Sequence, residues 1–326
     1  MLFEPTHKTE IIKDTEYNEV IVNIEKTLEQ FAQKGTLSSF DEKPINYEFY
    51  KTTENRGSIV IVHGFTEFLK KYYELTWYFL NMGFNVFLFD LRGHGYSYRS
   101  VENTELTHID YFEDYAKDLD CYINNVVIPN SDDAPVYLFA HSLGGGIATY
   151  YLGAFENKIK KAILSSPLVY PVCTPLPRYV LRALLTKEAK RDGWSAKFRF
   201  TSDFKPDANF ATSSDQSECR FRHNLNMRIN DINYRNSSSS NRWNYEILGI
   251  MDKILDKKLL SKINSDVLVI AGGKDTVVKL RPQKRLVKKL GCKYICFEDA
   301  KHSTYTMVDK DLEKFVATVL DYYIKD

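Results

Sequence analysis

Short apolar runs recur along the chain after residue 44 and alternate with segments of helical periodicity. The apolar runs are residues 45–51, 58–62, 84–89, 136–140, 161–165, 266–270 and 293–297. Most of them lack the apolar–polar alternation of a half-buried strand, which predicts strands buried on both faces of a parallel sheet. The intervening segments that are long enough for crossover helices include 72–82, 110–125 and 143–155. This alternation predicts a doubly wound α/β sheet.

The first 44 residues precede this pattern and contain one helical segment. Apolar residues recur there at the spacing of one face of an amphipathic helix over 15–34, namely at Val20, Ile24, Leu28 and Phe31. Gly35 follows as the expected C-cap of this helix. We therefore expect residues 1–44 to be an N-terminal extension that carries an amphipathic helix.

A long excursion, residues 170–262, interrupts the alternation of strands and helices. It contains helical runs at 178–190 and 243–260, and a serine run at 237–240 that we interpret as a flexible loop. The excursion is far longer than a crossover between parallel strands requires. We therefore predict that residues 170–262, called the insertion below, form an inserted helical subdomain.

With the extension and the insertion set apart, the α/β core is predicted to comprise residues 45–169 and 263–326. The insertion also differs from the remainder in charge, since it carries 17 Lys and Arg against 10 Asp and Glu, a net charge of +7. The rest of the chain has a net charge of −6. Ordinary solvated helix faces would explain this difference, and so would a basic rim that meets anionic lipid head groups.

Composition and charge exclude several other classes of protein. The 326 residues have a net charge of +1, which gives no electrostatic reason to expect a nucleic acid partner. The five cysteines include no C-x-x-C pair, so neither a metal site nor a disulfide framework is indicated. The chain begins without a signal peptide pattern and contains no apolar run long enough for a membrane span. We expect a soluble, cytoplasmic protein, with peripheral contact at the inner face of the membrane left open and no indication of its oligomeric state.

The segment VYLFAHSLGGG, residues 136–146, carries the clearest chemical signal. An apolar strand runs directly into Ser142, and small residues follow that can open a helix. A serine on such a strand-to-helix turn exposes its hydroxyl at the end of the sheet, and small residues two positions before and after it let the backbones approach. Ala140 replaces the glycine that is usual at the first of these positions, which is a mild departure. Ser142 is the predicted nucleophile.

A serine nucleophile needs a general base, and His302 has the most suitable position. It lies in the loop FEDAKHS directly after the last predicted strand, at the carboxyl edge of the sheet. The other histidines occupy less suitable places along the chain: His7, His63, His94, His108, His141 and His223. His141 is adjacent to Ser142, so its side chain is expected to point away from the pocket.

The imidazole in turn needs a carboxylate to orient it, and the turn AGGKDTVV supplies Asp275 directly after the strand at 266–270. Glu298 and Asp299 are so close to His302 in sequence that they would share its loop rather than face its ring. The order Ser142, Asp275, His302 is the chain order of an α/β-hydrolase.

A tetrahedral intermediate requires two backbone donors for its oxyanion. We expect one to be the N–H of Leu143, at the start of the helix after Ser142. The other is expected from the loop after the strand at 58–62, where Phe65 N–H is the best candidate and Gly64 would allow the tight turn.

Together these motifs resemble the bacterial lysophospholipase and monoacylglycerol-lipase branch of the α/β-hydrolases. The resemblance covers roughly residues 45–326 and rests on HGFTEF (63–68), FDLRGHGYS (89–97), AHSLGGG (140–146), GGKDTVV (272–278) and His302. RDGW (191–194) and RFRHNLNM (220–227) are similar to cap segments of lysophospholipases related to the enterobacterial inner-membrane enzyme. The resemblance implies that Asp90, Arg92 and His94 are architectural and that a helical cap over Ser142 admits one acyl chain. Residues 1–44 have no counterpart in it.

The expected function is hydrolysis of one acyl ester of a monoacyl lipid through an acyl-enzyme, with no metal and no organic cofactor. The main alternative is a carboxylesterase for short or non-lipid esters. A haloalkane dehalogenase or an epoxide hydrolase would need aspartate at position 142. A ligand-binding protein on the same fold is a further alternative, although such a protein has no need of all three of Ser142, Asp275 and His302.

Overall fold

The computed structural model describes residues 1–8, 10–171 and 176–325, and Cys173 of the sequence lies outside these ranges. The strands are β1 (Gln33–Ser38), β2 (Pro44–Tyr50), β3 (Ser58–Val62), β4 (Asn85–Phe89), β5 (Leu106–Thr107), β6 (Val136–His141), β7 (Ile159–Ser165), β8 (Ser238–Ser239), β9 (Asp266–Gly272) and β10 (Lys293–Phe297). The α-helices are α1 (Tyr17–Phe31), α2 (Tyr73–Asn81), α3 (Glu113–Tyr122), α4 (Leu143–Ala154), α5 (Arg178–Asp192), α6 (Glu218–Asn230), α7 (Asn241–Ile254), α8 (Lys257–Leu260), α9 (Leu280–Leu290) and α10 (Asp309–Ile324). Each apolar run predicted as a strand overlaps one of these strands.

Eight strands form one sheet in the order β1-β2-β4-β3-β6-β7-β9-β10. The neighbouring strands β4, β3, β6, β7, β9 and β10 run parallel to one another. Strand β2 is antiparallel to both of its neighbours, β1 and β4. Every residue of β3, β4 and β6 is buried, as their continuous apolar sequences predict. The parallel connections bring the carboxyl ends of β3, β6 and β9 to the same edge of the sheet.

Helices cover both faces of the sheet, each over its own apolar core. The side chains of α1, α2 and α10 pack on one face, and those of α3, α4, α7 and α9 pack on the other. The buried stripe of α1 consists of Tyr17, Ile21, Ile24 and Leu28. The fold is therefore the predicted doubly wound α/β arrangement, with helices on both faces.

The N-terminal region is more closely joined to the sheet than the sequence predicts. Gly35 is not a C-cap: α1 ends at Phe31, and Gly35 lies within β1, which pairs with β2 over its whole length. Tyr47 lies across Gly35, where a β-carbon would overlap its ring. Residues 33–38 thus belong to the sheet, although they fall within the predicted extension of residues 1–44.

In its described residues, 170–171 and 176–262, the insertion contains α5 to α8 and one short strand. The predicted run 243–260 is divided between α7 and α8, because Asp256 caps a new helix by accepting from Leu259 N–H. The prediction of a flexible serine loop is wrong, since Ser238 and Ser239 form β8, paired with β5, and Ser240 caps α7. Helix α6 was not among the predicted helical runs.

In the described part of the chain, no helix combines the length and the apolarity that crossing a bilayer requires. The described cysteines Cys121, Cys219, Cys292 and Cys296 are free.

Candidate active site

Ser142 lies at the sharp turn between β6 and α4. Its backbone has a φ of 52° and a ψ of −116°, which is unfavourable for a residue with a side chain. Its N–H donates to Ser165 O (3.0 Å), and its carbonyl accepts from Leu168 N–H (2.8 Å). These bonds hold the turn against β7 and the chain that follows it.

Small residues flank this turn, as the sequence predicts. Ala140 is fully buried, and Gly144 lies so close to the end of β3 that a β-carbon would overlap the Val62 carbonyl. Glycine at position 144 therefore lets α4 begin directly beside the loop that follows β3.

His302 connects Ser142 to Asp275. Its Nε2 lies 2.8 Å from Ser142 Oγ, and its Nδ1 lies 2.8 Å from Asp275 Oδ2. The Asp275 side chain is fully buried, and its other oxygen accepts from the N–H groups of Val277 (2.8 Å) and Val278 (3.0 Å). With Nδ1–H donating to the carboxylate, Nε2 is left to accept the serine proton.

The two rival carboxylates lie elsewhere. The Asp299 side chain is 74% exposed and pairs with Lys274 at 2.7 Å, and Glu298 is exposed. Neither arrangement directs a carboxylate to the imidazole of His302, so Asp275 is the carboxylate that meets it.

The predicted oxyanion donors border the same cleft as Ser142. Leu143 is the first residue of α4, so its N–H has no partner within the helix. Gly64 N–H donates to Glu67 Oε2 (2.6 Å), whereas Phe65 N–H has no acceptor among the described residues. Thr66 of this loop has a left-handed backbone, with a φ of 62°, and a β-carbon at Gly64 would lie 2.7 Å from Glu67 Oε2.

Glu67 is a buried carboxylate that the sequence analysis missed. It accepts from Tyr72 Oη (2.6 Å), Tyr305 Oη (2.5 Å) and Lys71 Nζ (2.8 Å), as well as from Gly64. Burial favours a raised pKa for Glu67, but the positive charge of Lys71 and the hydrogen bonds from Lys71 and Tyr305 outweigh it, so its pKa lies well below its usual range. The ionised carboxylate fixes the loop after β3, through Gly64, to Tyr305 in the loop that follows His302.

Three further histidines near the sheet edge are buried and uncharged. His63 accepts from Leu91 N–H at Nε2 (2.9 Å) and donates from Nδ1 to Gly64 O (2.8 Å), which links two loops. The ring of His141 lies beneath the site, with its centroid 4.8 Å from that of His302. Burial lowers the pKa of His141 to about 3, and it also lowers the pKa values of His63 and His94.

The loop at residues 89–97 makes interior contacts. Asp90 is fully buried and accepts from Leu69 N–H (2.9 Å) and Tyr96 N–H (3.1 Å). Arg92 binds Asp118 with two nitrogens, at 2.6 and 2.7 Å. Asp90 and Arg92 thus connect structural elements, as the resemblance implies.

An apolar cleft of about 470 Å³ opens above Ser142. Its walls come from the core and from the insertion, and the large side chains among them are Phe65, Leu143, Leu168, Leu181, Phe198, Phe200, Trp243, Ile247 and Leu248. Phe198 and Phe200 of the insertion thus line the cleft. Three other aromatic residues of the insertion pack elsewhere: Trp194 on Tyr245, Phe204 under Arg228, and Phe210 on Phe221.

Residues 53–309 match the family model described as serine aminopeptidase, S33. This match covers most of the chain. The sheet order and the sharp turn at Ser142 between β6 and α4 agree with it. The chain belongs to this α/β-hydrolase family.

Among relatives of this family member, a probable lysophospholipase L2 of Haemophilus influenzae is 27% identical over 280 residues, which cover 79% of this chain and 84% of the relative. A solved monoacylglycerol lipase of Paleococcus ferrophilus superposes with a TM-score of 0.65 at 22% identity and covers 86% of this chain and 98% of its own. A soluble variant of the Saccharomyces cerevisiae monoglyceride lipase, in complex with a substrate analogue, superposes with a TM-score of 0.69 at 20% identity. It covers 90% of this chain and 94% of its own. These two structures support the fold.

Two kinds of site residue in this hydrolase could not be assigned from the sequence. Trp243 and Ile247 lie in a predicted helical run. Whether that helix lines the cleft above Ser142 depends on how the insertion packs on the core, which the sequence does not show. Glu67 lies between Phe65 and Phe68 in the sequence. An acidic residue in such an apolar context could have indicated a buried, hydrogen-bonded carboxylate. Among the described residues, no cluster of three or more His, Cys, Asp or Glu side chains is arranged to hold a metal ion.

Proposed function

We propose that this protein is a serine hydrolase that cleaves the carboxylic ester of a monoacyl lipid, either a lysophospholipid or a monoacylglycerol, through an acyl-enzyme. The observation that carries the proposal is the hydrogen-bonded series Ser142–His302–Asp275 at the base of an apolar cleft. The relative is named as a probable lysophospholipase, and the two similar solved structures are a monoacylglycerol lipase and a monoglyceride lipase, which supports the same substrate class.

In the proposed mechanism, His302 Nε2 takes the Ser142 proton as the oxygen attacks the ester carbonyl. The N–H groups of Phe65 and Leu143 stabilise the resulting oxyanion. His302 then protonates the leaving alcohol, and it activates a water molecule that releases the fatty acid. Every step uses protein groups and water, so the mechanism calls for no metal or organic cofactor.

We further propose that residues 170–262 form a cap that binds the acyl chain. Helices α5 and α7 supply Leu181, Trp243, Ile247 and Leu248 to the cleft, opposite core residues such as Leu168. Burying a methylene group contributes about 0.8 kcal/mol, so an apolar passage of this kind favours a long acyl chain over an acetyl group.

A substrate series tests this function. We expect kcat/KM to rise from p-nitrophenyl acetate to lysophosphatidylcholine and monoolein, and we expect Ser142→Ala to hydrolyse none of them. Good turnover of short esters with none of monoacyl lipids would instead favour the carboxylesterase alternative. Absence of hydrolysis of every ester by the wild-type protein would refute the proposal.

Peripheral contact with an anionic membrane is a further part of the proposal. Helix α9 adds a strongly basic face to the basic insertion, because its sequence LRPQKRLVKKL has five basic residues and no acidic one. Arg281, Lys284, Arg285, Lys288 and Lys289 are all exposed. Each basic residue near an anionic surface contributes about 1 kcal/mol of attraction at low salt.

Co-sedimentation with vesicles tests this contact. Binding is expected to be stronger to anionic than to zwitterionic vesicles, to weaken as salt rises, and to fall in the double variant Lys284→Glu/Lys288→Glu. Equal binding to both kinds of vesicle, or binding to neither, would show that the basic surface is only a solvated one.

A further inference from the structure

The loop that carries His302 is held from two sides. On the core side, Ala300 O accepts from Lys274 N–H (2.9 Å), and Thr304 Oγ1 bonds to Ser165 Oγ (2.6 Å). Tyr305 Oη donates to Glu67. These contacts fix the loop at residues on either side of His302, but they leave its nearest neighbours, Lys301 and Ser303, to other partners.

Those partners belong to the insertion. Residues 213–217, called the bracing segment below, run directly along the histidine loop, residues 299–306. Lys301 Nζ donates to the carbonyls of Ser213 and Asp215, both at 3.1 Å, and Lys301 N–H donates to Gln216 Oε1 at 3.2 Å. Ser303 N–H donates to Ser214 O at 3.2 Å.

The contacts continue at both ends of the histidine loop. At its start, Gln216 Nε2 donates to Asp299 O (3.0 Å). At its end, Thr306 Oγ1 donates to Asp215 Oδ1 (2.7 Å), and Thr306 O accepts from the N–H groups of Gln216 and Ser217 (3.3 and 3.1 Å). The bracing segment therefore binds the histidine loop before, beside and after His302.

The bracing segment is itself fixed to the body of the protein. It leads into α6, whose Arg220 is 1% exposed and donates to Glu74 of α2 (2.6 Å) and to Ile12 O (2.6 Å). Ser217 Oγ donates to Asp14 (3.0 Å), so the N-terminal residues take part as well. Breaking a buried, hydrogen-bonded ion pair of this kind is costly, which keeps this end of the insertion in place.

We propose that the bracing segment is a positioning element that holds His302 in line with Ser142, so that the insertion acts in the chemical step and not only in the choice of substrate. This inference rests on the proposed function. A lid that acts only on substrate entry would contact the cleft and the lipid, whereas this segment hydrogen-bonds to the backbone of the loop that bears the base. Small displacements of a catalytic group slow the reaction strongly, since a shift of about 1 Å can lower the rate about 100-fold.

Two variants at the contact test the proposal, Lys301→Met and Gln216→Ala. Each removes bonds between the two segments and leaves Ser142, Asp275 and His302 unchanged. With p-nitrophenyl acetate, whose acyl group is too short to need the cleft, we expect kcat to fall about 10-fold to 100-fold while KM changes little. Lys301→Arg retains donors for both carbonyls and should recover most of this loss.

Lys197→Met is the matched control, because Lys197 lies in the insertion and pairs with Asp203 (2.7 Å), away from the histidine loop. It should retain the wild-type kcat. The proposal is overturned if both test variants keep kcat on the short ester within about twofold of wild type. It is equally overturned if they raise only the KM for long-chain esters. A wild-type protein without activity on any ester would refute the proposed function instead.

Discussion

The identity of the carboxylate that faces His302 Nδ1 decides how the site works. A buried carboxylate there holds the imidazole in one tautomer and stabilises the imidazolium that forms when Ser142 loses its proton. Asp275 meets both requirements, since its side chain is fully buried and its second oxygen is held by two backbone N–H groups.

Replacing Asp275 with asparagine should preserve the fold and lower kcat by about 10⁴-fold, because an amide can hold His302 in the wrong tautomer. The measurement is steady-state hydrolysis of an ester by purified variants with unchanged melting temperatures. Asp299→Asn is the matched control, since this exposed side chain pairs with Lys274 on the surface. An equal loss in the control would mean that the wrong carboxylate has been assigned.

The sequence predicts the position of some site residues much better than that of others. Ser142, Asp275 and His302 each follow a predicted strand, and the carboxyl ends of parallel strands must share one edge of the sheet. The positions of Glu67 and Trp243 do not follow from the order of the strands. They depend on contacts between segments that are distant in sequence, namely the Tyr305–Glu67 hydrogen bond and the packing of Trp243 on Phe65.

The turn of Asp275 and the loop of His302 are brought together by close backbone contact. Gly272 lies against Lys301, and Lys274 N–H donates to Ala300 O (2.9 Å). A β-carbon at position 272 would overlap the Lys301 carbonyl, a backbone atom that cannot move without moving His302.

Gly272→Ala is therefore expected to lower the free energy of unfolding by about 1–3 kcal/mol, as overpacking does, and to reduce kcat by separating Asp275 from His302. Thermal unfolding and ester hydrolysis measure the two effects. Gly249→Ala in α7 is the control, because its β-carbon would meet nothing nearer than 3.8 Å. In a helix this control change stabilises by about 0.5–1 kcal/mol. Equal behaviour of the two variants would contradict the close-contact account.

The sequence predicts the strands of the sheet better than the elements of the insertion, and the reason is physical. Buried parallel strands must be apolar throughout, which makes 58–62 and 136–140 conspicuous. Helix α6 is held by ion pairs rather than by an apolar stripe: its buried residues are Arg220 and Phe221, so it shows no amphipathic period. Gly35 and Ser238–Ser239 were misassigned because local residue preferences yield to strand pairing.

Across the protein as a whole, buried histidines make stability depend on pH. Burial lowers the pKa values of His63, His94 and His141, so the folded protein resists protonation at these rings while the unfolded chain accepts protons near pH 6.5. A pKa lowered by folding contributes stability that is present above the unfolded value and is lost as the pH falls below it.

The melting temperature should therefore fall as the pH is lowered from about 6.5 towards about 5, with each such histidine contributing up to about 1.4 kcal/mol per pH unit. Thermal unfolding followed by circular dichroism across this range provides the measurement. His141→Asn should show a shallower dependence than wild type, since one of the groups is removed. A melting temperature that stays constant over this range would contradict the assignment of these rings as neutral.

Covalent labelling of Ser142 tests the central claim most directly. A long-chain alkyl fluorophosphonate should react once per molecule, and peptide mass spectrometry should locate the adduct on Ser142, with labelling lost in Ser142→Ala and greatly slowed in His302→Gln. This result is expected because, in the proposed mechanism, His302 Nε2, which lies 2.8 Å from Ser142 Oγ, activates the hydroxyl while the apolar cleft binds the alkyl chain. Labelling at another residue, or an unlabelled wild-type protein, would contradict the account.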